Sequence, residues 1–287
     1  MNKTAYIFVN PNSKGNSVSQ SNTLKKQLEK ENFTVYIKNT HYKGHINNLV
    51  LEHFSKNSEA LYISASGDGG YHEMINALIN ASKKLNKKPF CAVLPSGNAN
   101  DHGSAVYSKP LYQLIIENSI IHMDILSIKL ANQEIYAHSY ASLGFTARAG
   151  HELNKNNFFK FFELFAIIKT AILHRPVKLI YGKMVKKLDS IIFFNTNRMA
   201  KVLTTEKNDL TDGLFEVIEA NHVGTLHLII HFLIGAVKTF NDTKTVHSYE
   251  FITVKKTMIQ CDGEVRRIAK NTKVVITSLK QAIKTFS

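Results

Sequence analysis

The sequence is short of cysteine, of acidic residues and of uninterrupted apolar runs. Its two cysteines, Cys91 and Cys261, lie far apart in apolar stretches and form no C-x-x-C pair, which predicts buried, reduced thiols rather than a disulfide framework. Charged or histidine residues interrupt the two most apolar stretches, so neither offers the roughly 20 nearly uninterrupted apolar residues of a bilayer-spanning helix. The N-terminus lacks the apolar length and cleavage site of a signal peptide, and a cytoplasmic location is expected.

Acidic residues are too few to balance the basic ones. Lysine and arginine number 36 against 22 aspartate and glutamate residues, which gives a formal net charge of +14. Such an excess favours polyanionic partners, namely nucleic acid, acidic lipid headgroups or a nucleotide. No nucleic-acid recognition motif accompanies the charge, so nucleic acid is not an expected partner.

An aromatic run followed by basic residues indicates a membrane contact. The run reads FFKFFELFAII over residues 158–168, and six basic residues follow between Lys169 and Lys187. Aromatic rings enter a membrane interface while lysine and arginine meet anionic headgroups. Peripheral association with an anionic membrane is therefore expected, and an ordinary core helix followed by solvated strands is the alternative.

The order of apolar runs predicts two domains. Strands and helical patterns alternate over residues 1–125, which is typical of a doubly wound parallel α/β sheet. Residues 126–277 are mostly strand-like, which predicts a β-rich, sandwich-like second domain, and the chain length suits two cores. The strands expected in the first part are Ala5–Asn10, Thr34–Asn39, Leu61–Ala65, Phe90–Pro95 and Ile121–Asp124. Those expected in the second part are Ile125–Leu130, Glu134–Ser142, Val177–Met184, Ser190–Asn195, Leu214–Ala220, Tyr249–Val254 and Thr257–Gln260.

Two glycine-rich turns follow apolar strands and are candidates for binding phosphate. The first contains Gly67, Gly69 and Gly70, where glycine permits positive φ and a close approach of the backbone to an anion. A helical pattern follows this turn, and the positive end of a helix favours phosphate. Asp68 adds a group for metal binding or proton transfer. Taken alone, the pattern is equally consistent with an ordinary βα connection.

Several motifs in order resemble the catalytic domain of diacylglycerol kinases and of the related sphingosine and ceramide kinases. Ser66-Gly67-Asp68-Gly69, with His72-Glu73 and Asn76, resembles the SGDG-x-x-HE-x-x-N segment, and Leu94 to Asp101 resembles the P-x-G-T-x-N-D loop. The further matches are N-P-x-S at residues 10–13, T-x-x-x-G-H at 40–45, S-x-G-x-x-A at 142–147, D-x-x-DG-L at 209–214 and DGE at 262–264.

This resemblance implies a lipid kinase that transfers the γ-phosphoryl group of ATP to a lipid hydroxyl with Mg²⁺. It implies a nucleotide-binding domain, completed by residues 278–287, and a lipid-substrate domain, with the active site in the cleft. The implied catalytic residues are Asp68 and Glu264, which should meet across that cleft. The implied nucleotide-binding residues are Asn10, Ser13, Thr40, Ser66, Gly67, Gly69, Gly70, Glu73, Ser96, Gly97 and Asn98.

A second cation site is expected at Asp209, Asp212 and the carbonyl of Leu214. Two carboxylates and a carbonyl suit a hard cation such as Mg²⁺, although a simple Asp-Gly turn would use the same residues. Asp101 is expected to support the metal network of the active site.

Some residues depart from the family pattern, and two other functions remain open. Gly70 and Asn98 stand where threonine is usual, and Lys14 stands where glycine is usual. NAD kinase shares the GDG turn but carries a different second loop. A member that binds lipid or nucleotide without turnover is disfavoured because Asp68 and Glu264 are both retained. The lipid and the oligomeric state, including a homodimer, are left open.

Overall fold

The computed structural model describes residues 2–13, 15–98, 100–155, 167–199, 203–205, 208–225, 227–228, 230 and 243–287. It divides into two compact units. The first contains Met1–Ile125, Leu210–Asp212 and Leu279–Ser287, and the second contains Leu126–Asp209 and Gly213–Ser278.

The first unit alternates strands and helices. Its strands are β1 (Thr4–Val9), β2 (Thr34–Asn39), β3 (Leu61–Ser66), β4 (Phe90–Pro95), the start of β5 (Ile120–Leu130) and the end of β17 (Lys273–Phe286). Its helices are α1 (Ser17–Lys30), α2 (His45–Phe54), α3 (Asp68–Leu85), α4 (Asp101–Val106) and α5 (Leu111–Ile116).

The sheet of this unit is parallel, with the order β2–β1–β3–β4–β17. The chain adds β2 on one side of β1 and then β3 on the other side. In such doubly wound sheets, ligands bind at the carboxyl ends of the strands where the strand order reverses. Here that point lies between β1 and β3, with Val9 opposite Ala65.

Burial explains why the central elements form where they do. Every residue of β3 is buried, as expected for a strand covered on both faces. Helix α3 buries Tyr71, Met74, Ile75, Leu78 and Ile79, which is the three- and four-residue spacing of one helix face.

A buried carboxylate, that of Asp124, holds the last part of β17 in the first unit. Asp124 on β5 is fully buried and accepts a hydrogen bond of 2.6 Å from the backbone N–H of Gln281. Gln281 interrupts the extended backbone of β17 with a φ of 51°. Beyond this kink, the N–H of Lys284 donates to the carbonyl of Pro89 at 2.8 Å, so β17 joins the sheet beside β4.

The second unit is mostly antiparallel. Its elements are the rest of β5, β6 (Gln133–Ala137), β7 (Tyr140–Gly144), α6 (Phe145–Lys155), β8 (Val177–Tyr181), β9 (Met184–Phe194), β10 (Arg198–Met199), β11 (Leu203–Thr204), β12 (Phe215–Asn221), β13 (Lys244–Val246), β14 (Ser248–Thr253), β15 (Thr257–Cys261), β16 (Glu264–Ile268) and the start of β17. The main strand order is β16–β15–β7–β9–β8–β14–β17. The predicted fold class, a parallel α/β part followed by a mostly β part, is confirmed.

Two strands predicted as continuous are each two strands. The expected strand Glu134–Ser142 is interrupted at His138 and Ser139, whose amides turn towards the side chain of Asp262. The expected strand Val177–Met184 ends at Tyr181, because Gly182 adopts a φ of 58° and opens the turn into β9.

The prediction for the two cysteines is confirmed. Both are buried free thiols, and burial raises the pKa of Cys91 to about 12.

Among the described residues, no helix combines the length and apolar character needed to cross a membrane. Most of the aromatic run, residues 158–166, lies outside the described residues. Of the basic residues after it, Lys186 forms an ion pair of 2.6 Å with Glu219.

Candidate active site

Four loops that carry predicted nucleotide-binding residues leave the carboxyl ends of four neighbouring strands. Asn10 follows β1, Thr40 follows β2, Gly67 follows β3 and Ser96 follows β4. Because these strands are parallel neighbours, the loops gather at the same edge of the sheet. The structure therefore brings together residues that are as far apart in the sequence as Asn10 and Ser96.

Ser96 connects three of these loops through its backbone. Its carbonyl oxygen accepts a hydrogen bond from the N–H of Gly15 at 2.9 Å and another from the hydroxyl of Ser13. Its own N–H donates to the carbonyl of Ser66 at 3.0 Å. Ser96 is 1% exposed, and its hydroxyl donates to Gln20 at 2.7 Å. The main role of Ser96 in this structure is to hold the loops together.

The two glycine-rich loops touch each other through their backbones. A Cβ built on Gly97 would lie 2.3 Å from the Cα of Gly67, and a Cβ on Gly67 would lie 3.0 Å from the Cα of Gly97. Real Cβ atoms do not approach as closely as 2.3 Å, and 3.0 Å is unusually tight, so a side chain is excluded at Gly97 and disfavoured at Gly67. Asn100 closes the second loop by accepting from the N–H of Gly97 at 2.9 Å and donating to its carbonyl at 3.1 Å.

The first turn does not use the positive φ that its glycines permit. Gly67 has a φ of −84°, and neither Gly69 nor Gly70 adopts positive φ, because α3 already begins at Asp68. At Gly67 and Gly70 the observed requirement is close approach of neighbouring atoms instead. This starting point leaves the first-turn amides of α3 without acceptors inside the helix, which is the arrangement that binds anions at helix N-termini.

The side chain of Ser66 accounts for glycine at position 70. A Cβ on Gly70 would lie 2.4 Å from the Oγ of Ser66 and 2.7 Å from its Cβ. The Ser66 hydroxyl bonds to the Ser64 hydroxyl at 2.7 Å, which fixes its position. Ser66 thus occupies the space of a side chain at position 70, where the family usually has threonine.

Asp68 has a structural contact that the sequence does not indicate. Its two carboxylate oxygens accept hydrogen bonds from the N–H groups of Asp101 and His102, each at 3.1 Å. These amides begin α4, so the carboxylate connects the start of α3 to the loop after β4. Asp101 is 2% exposed and Asp68 is half-buried. Asp68 and Asp101 are therefore neighbours, and the role of Asp101 in a metal network stays a prediction.

The remaining predicted nucleotide-binding residues lie on the loops after β1, β2 and β4 and in the first turns of α3. The exposed Asn10 accepts the N–H of Asn12 at 3.0 Å. Thr40 donates both its N–H and its hydroxyl to the Val9 carbonyl, at 2.7 and 3.2 Å. Glu73 accepts the N–H of Gly44 at 3.1 Å, which joins α3 to the start of α2. Asn98 is exposed.

The DGE segment forms a tight hairpin between β15 and β16 in the second unit. Asp262 and Gly263 have φ values of 48° and 93°, and Cys261 pairs with Glu264 across the turn. Positive φ at both central residues is the geometry that favours Asp-Gly. Glu264 is half-buried at the first position of β16. Its pairing with Asp68, which belongs to the first unit, stays a prediction.

Asp262 is the important residue of this segment that the sequence reasoning missed. It is 2% exposed, and its carboxylate accepts three backbone N–H groups, those of His138 at 2.9 Å, Ser139 at 2.9 Å and Tyr140 at 3.1 Å. Three charge-assisted hydrogen bonds to buried amides account for an acid at this position. Nothing in the local sequence indicates this contact, because the amides lie more than 120 residues earlier.

The residues of the second expected cation site are all on the surface. Asp209, Asp212 and Leu214 are exposed, and Gly213 between them adopts a φ of 86°. Oxygen donors of this kind fit Mg²⁺ chemically. Within the described part of the chain, however, no group of three or more histidine, cysteine or acidic side chains is arranged to hold a metal ion. Magnesium binding here stays a prediction.

Comparisons with known proteins agree with the fold. Residues 4–128 match the family model of the diacylglycerol kinase catalytic domain, and among curated proteins no match is found. Three solved structures from Bacillus anthracis str. Sterne are similar over 99% of this chain at 17% sequence identity. One is described as a diacylglycerol kinase, with a TM-score of 0.69 over 96% of its chain. Two are described as proposed diacylglycerol kinases, each with a TM-score of 0.73, over 96% and 98% of their chains. At this identity, the likeness establishes the fold.

Replacing Asp68 should loosen the start of α4. In Asp68→Ala the amides of Asp101 and His102 lose their acceptors, which costs about 1–3 kcal/mol locally. Their hydrogen exchange, measured by mass spectrometry, should accelerate about tenfold or more. Glu73→Ala is the matched control, since it removes a carboxylate of α3 that bonds elsewhere. Unchanged exchange in Asp68→Ala would contradict this role.

Gly70→Ala should destabilise the protein by about 1–3 kcal/mol through overpacking, although alanine is normally the better helix residue. The double variant Ser66→Gly with Gly70→Ala removes the clash and should recover at least about 1 kcal/mol of coupling energy. Thermal unfolding of both single variants and the double variant measures this coupling. Additive effects would show that the two positions do not compete for space.

Proposed function

We propose that this chain, whose residues 4–128 match the family model of the diacylglycerol kinase catalytic domain, transfers the γ-phosphoryl group of ATP to a hydroxyl group of a lipid. In this reaction the lipid oxygen forms a bond to the γ-phosphorus. The bond from that phosphorus to the bridging oxygen breaks, ADP leaves, and a carboxylate takes the hydroxyl proton. Positioning and electrostatic stabilisation provide most of the catalysis in such transfers.

The contact between Gly67 and Gly97 is the observation that carries this proposal. The two backbones meet beside the first turn of α3, with no side chains between them, and a surface of backbone amides suits the oxygens of a triphosphate. Gly69, Gly70 and Asn98 complete this surface, and Asn10, Ser13 and Thr40 lie on the neighbouring loops. Magnesium bound with the nucleotide would neutralise charge on the phosphates.

Asp68 is the proposed residue for metal binding or for accepting the proton. Its hydrogen bonds to the amides of Asp101 and His102 fix the direction of its carboxylate. Catalytic groups work best when neighbouring contacts hold them in one orientation. Glu264 is the proposed second carboxylate, supplied by the hairpin that Asp262 anchors.

The proposed partners are a lipid substrate and the membrane that contains it. The net charge of +14 favours association with anionic headgroups, so a cytoplasmic protein bound peripherally to the membrane is the proposed state.

Incubation with radiolabelled ATP, Mg²⁺ and single lipids in mixed micelles tests the reaction. Diacylglycerol, sphingosine, monoacylglycerol and phosphatidylglycerol should be tried in parallel, and one of them should acquire label. NAD is included as an acceptor. Label on NAD, or label on none of the lipids, would refute a lipid kinase.

Glu264→Gln should lower kcat about 100-fold or more, because the neutral amide cannot take a proton or hold a metal ion. The dissociation constant for ATP should change less than about threefold, since the loss affects the transition state rather than binding. Glu250→Gln is the control, an exposed glutamate of the same unit that pairs with Lys273. A wild-type kcat in Glu264→Gln would remove Glu264 from the mechanism.

A further inference from the structure

A basic pocket lies within the second unit, away from the DGE hairpin turn. Its volume is about 550 Å³. The walls are the connection from β14 to β15 and the end of β16 with the residues that follow it. The lining residues are Val254, Lys255, Lys256, Arg267, Ile268, Ala269 and Lys270.

Thr253 holds the two walls of this pocket in place. It is fully buried, and its hydroxyl donates to the carbonyl of Ala269 at 2.7 Å. Its N–H donates to the carbonyl of Thr272 at 3.0 Å, and its carbonyl accepts the N–H of Asn271 at 2.6 Å. With this support the pocket is formed before any ligand arrives, which lowers the entropic cost of binding.

The basic side chains of the pocket are not neutralised by acidic neighbours in its lining. Four of its seven lining residues are basic, and none is acidic. Lys255, Lys256, Arg267 and Lys270 are all exposed, and none of them forms an ion pair with a carboxylate in the described part of the chain. Nearby Lys273, in contrast, pairs with Glu250 at 2.9 Å. Four like charges around one cavity raise its potential and favour an anion.

We propose that this pocket binds the phosphate group of an anionic phospholipid headgroup and so docks the second unit on a membrane. The apolar atoms of Val254, Ile268 and Ala269 in the lining suit the glycerol end of a lipid. Nucleic acid fits less well, because no aromatic side chain lines the pocket to stack on a base. This docking contact is separate from phosphoryl transfer, and its test measures binding alone.

The test compares flotation of the full protein with vesicles of phosphatidylcholine alone and of phosphatidylcholine mixed with phosphatidylglycerol. The wild-type protein should bind the mixed vesicles, less strongly as salt rises. Replacing Lys255, Lys256, Arg267 and Lys270 together with glutamine should reduce the partition coefficient about 100-fold. The matched control replaces four exposed lysines of the first unit, Lys26, Lys30, Lys84 and Lys88, with glutamine. This control changes the net charge equally and should lose less than about threefold in the partition coefficient.

A charge-preserving variant separates charge from folding. Exchanging the three lysines for arginine and Arg267 for lysine should retain binding, and its loss would overturn a charge-based contact. Equal losses of the partition coefficient in the pocket variant and in the control would show that only net charge matters. That result would overturn the proposal that this pocket is the docking site.

Two further arms identify the anion. Free glycerol 3-phosphate should compete only weakly with vesicles; complete competition would make the ligand a soluble phosphate ester instead of a membrane lipid. If a single-stranded RNA oligonucleotide binds the wild type and this binding is lost in the pocket variant, the pocket is a nucleic-acid site instead.

Discussion

The carbonyl oxygen of Ser96 accepts hydrogen bonds from the loop after β1 while the N–H of the same residue donates to the end of β3. These contacts join loops that the sheet places side by side but does not itself connect. The approach of Gly97 to Gly67 depends on this connection, since the two glycines follow directly after Ser96 and Ser66. The surface proposed for phosphate binding is thus made of backbone, held largely by backbone hydrogen bonds. Such a surface needs little reorganisation when an anion binds, which is a requirement for electrostatic stabilisation of transferred phosphoryl groups.

Three aspartate side chains accept hydrogen bonds from backbone N–H groups at points where the chain changes direction. Asp68 binds the start of α4, Asp124 binds the kink at Gln281, and Asp262 binds the turn between β6 and β7. Two of the three belong to motifs that indicate catalysis. A carboxylate in a family motif can therefore be required by the fold, by the chemistry or by both, and the amide contacts distinguish these cases where the sequence does not.

The parallel sheet and its loops could be predicted because their signals are local. An apolar run followed by a glycine turn and a helical pattern identifies each βα unit, and β2 and β4 have the predicted bounds. The reason for the glycines could not be predicted in the same way. Close contact between Gly67 and Gly97, or between Gly70 and Ser66, depends on side-chain space in the folded chain. The interruption at His138 likewise depends on Asp262, which is far away in sequence.

The strand β17 makes the first unit depend on residues synthesised long after the rest of it. Residues 1–125 contain β1 to β4 and all five helices of the unit, yet the place beside β4 is taken by residues 279–287. On the ribosome, the edge of β4 therefore stays exposed until residues 279–287 have been synthesised, and these lie more than 180 positions after β4. Non-local pairings of this kind slow folding and leave unpaired edges open to aggregation. Complete folding of the first unit can thus only follow synthesis of the second, so a nascent chain that stops before residue 279 cannot form the finished parallel sheet.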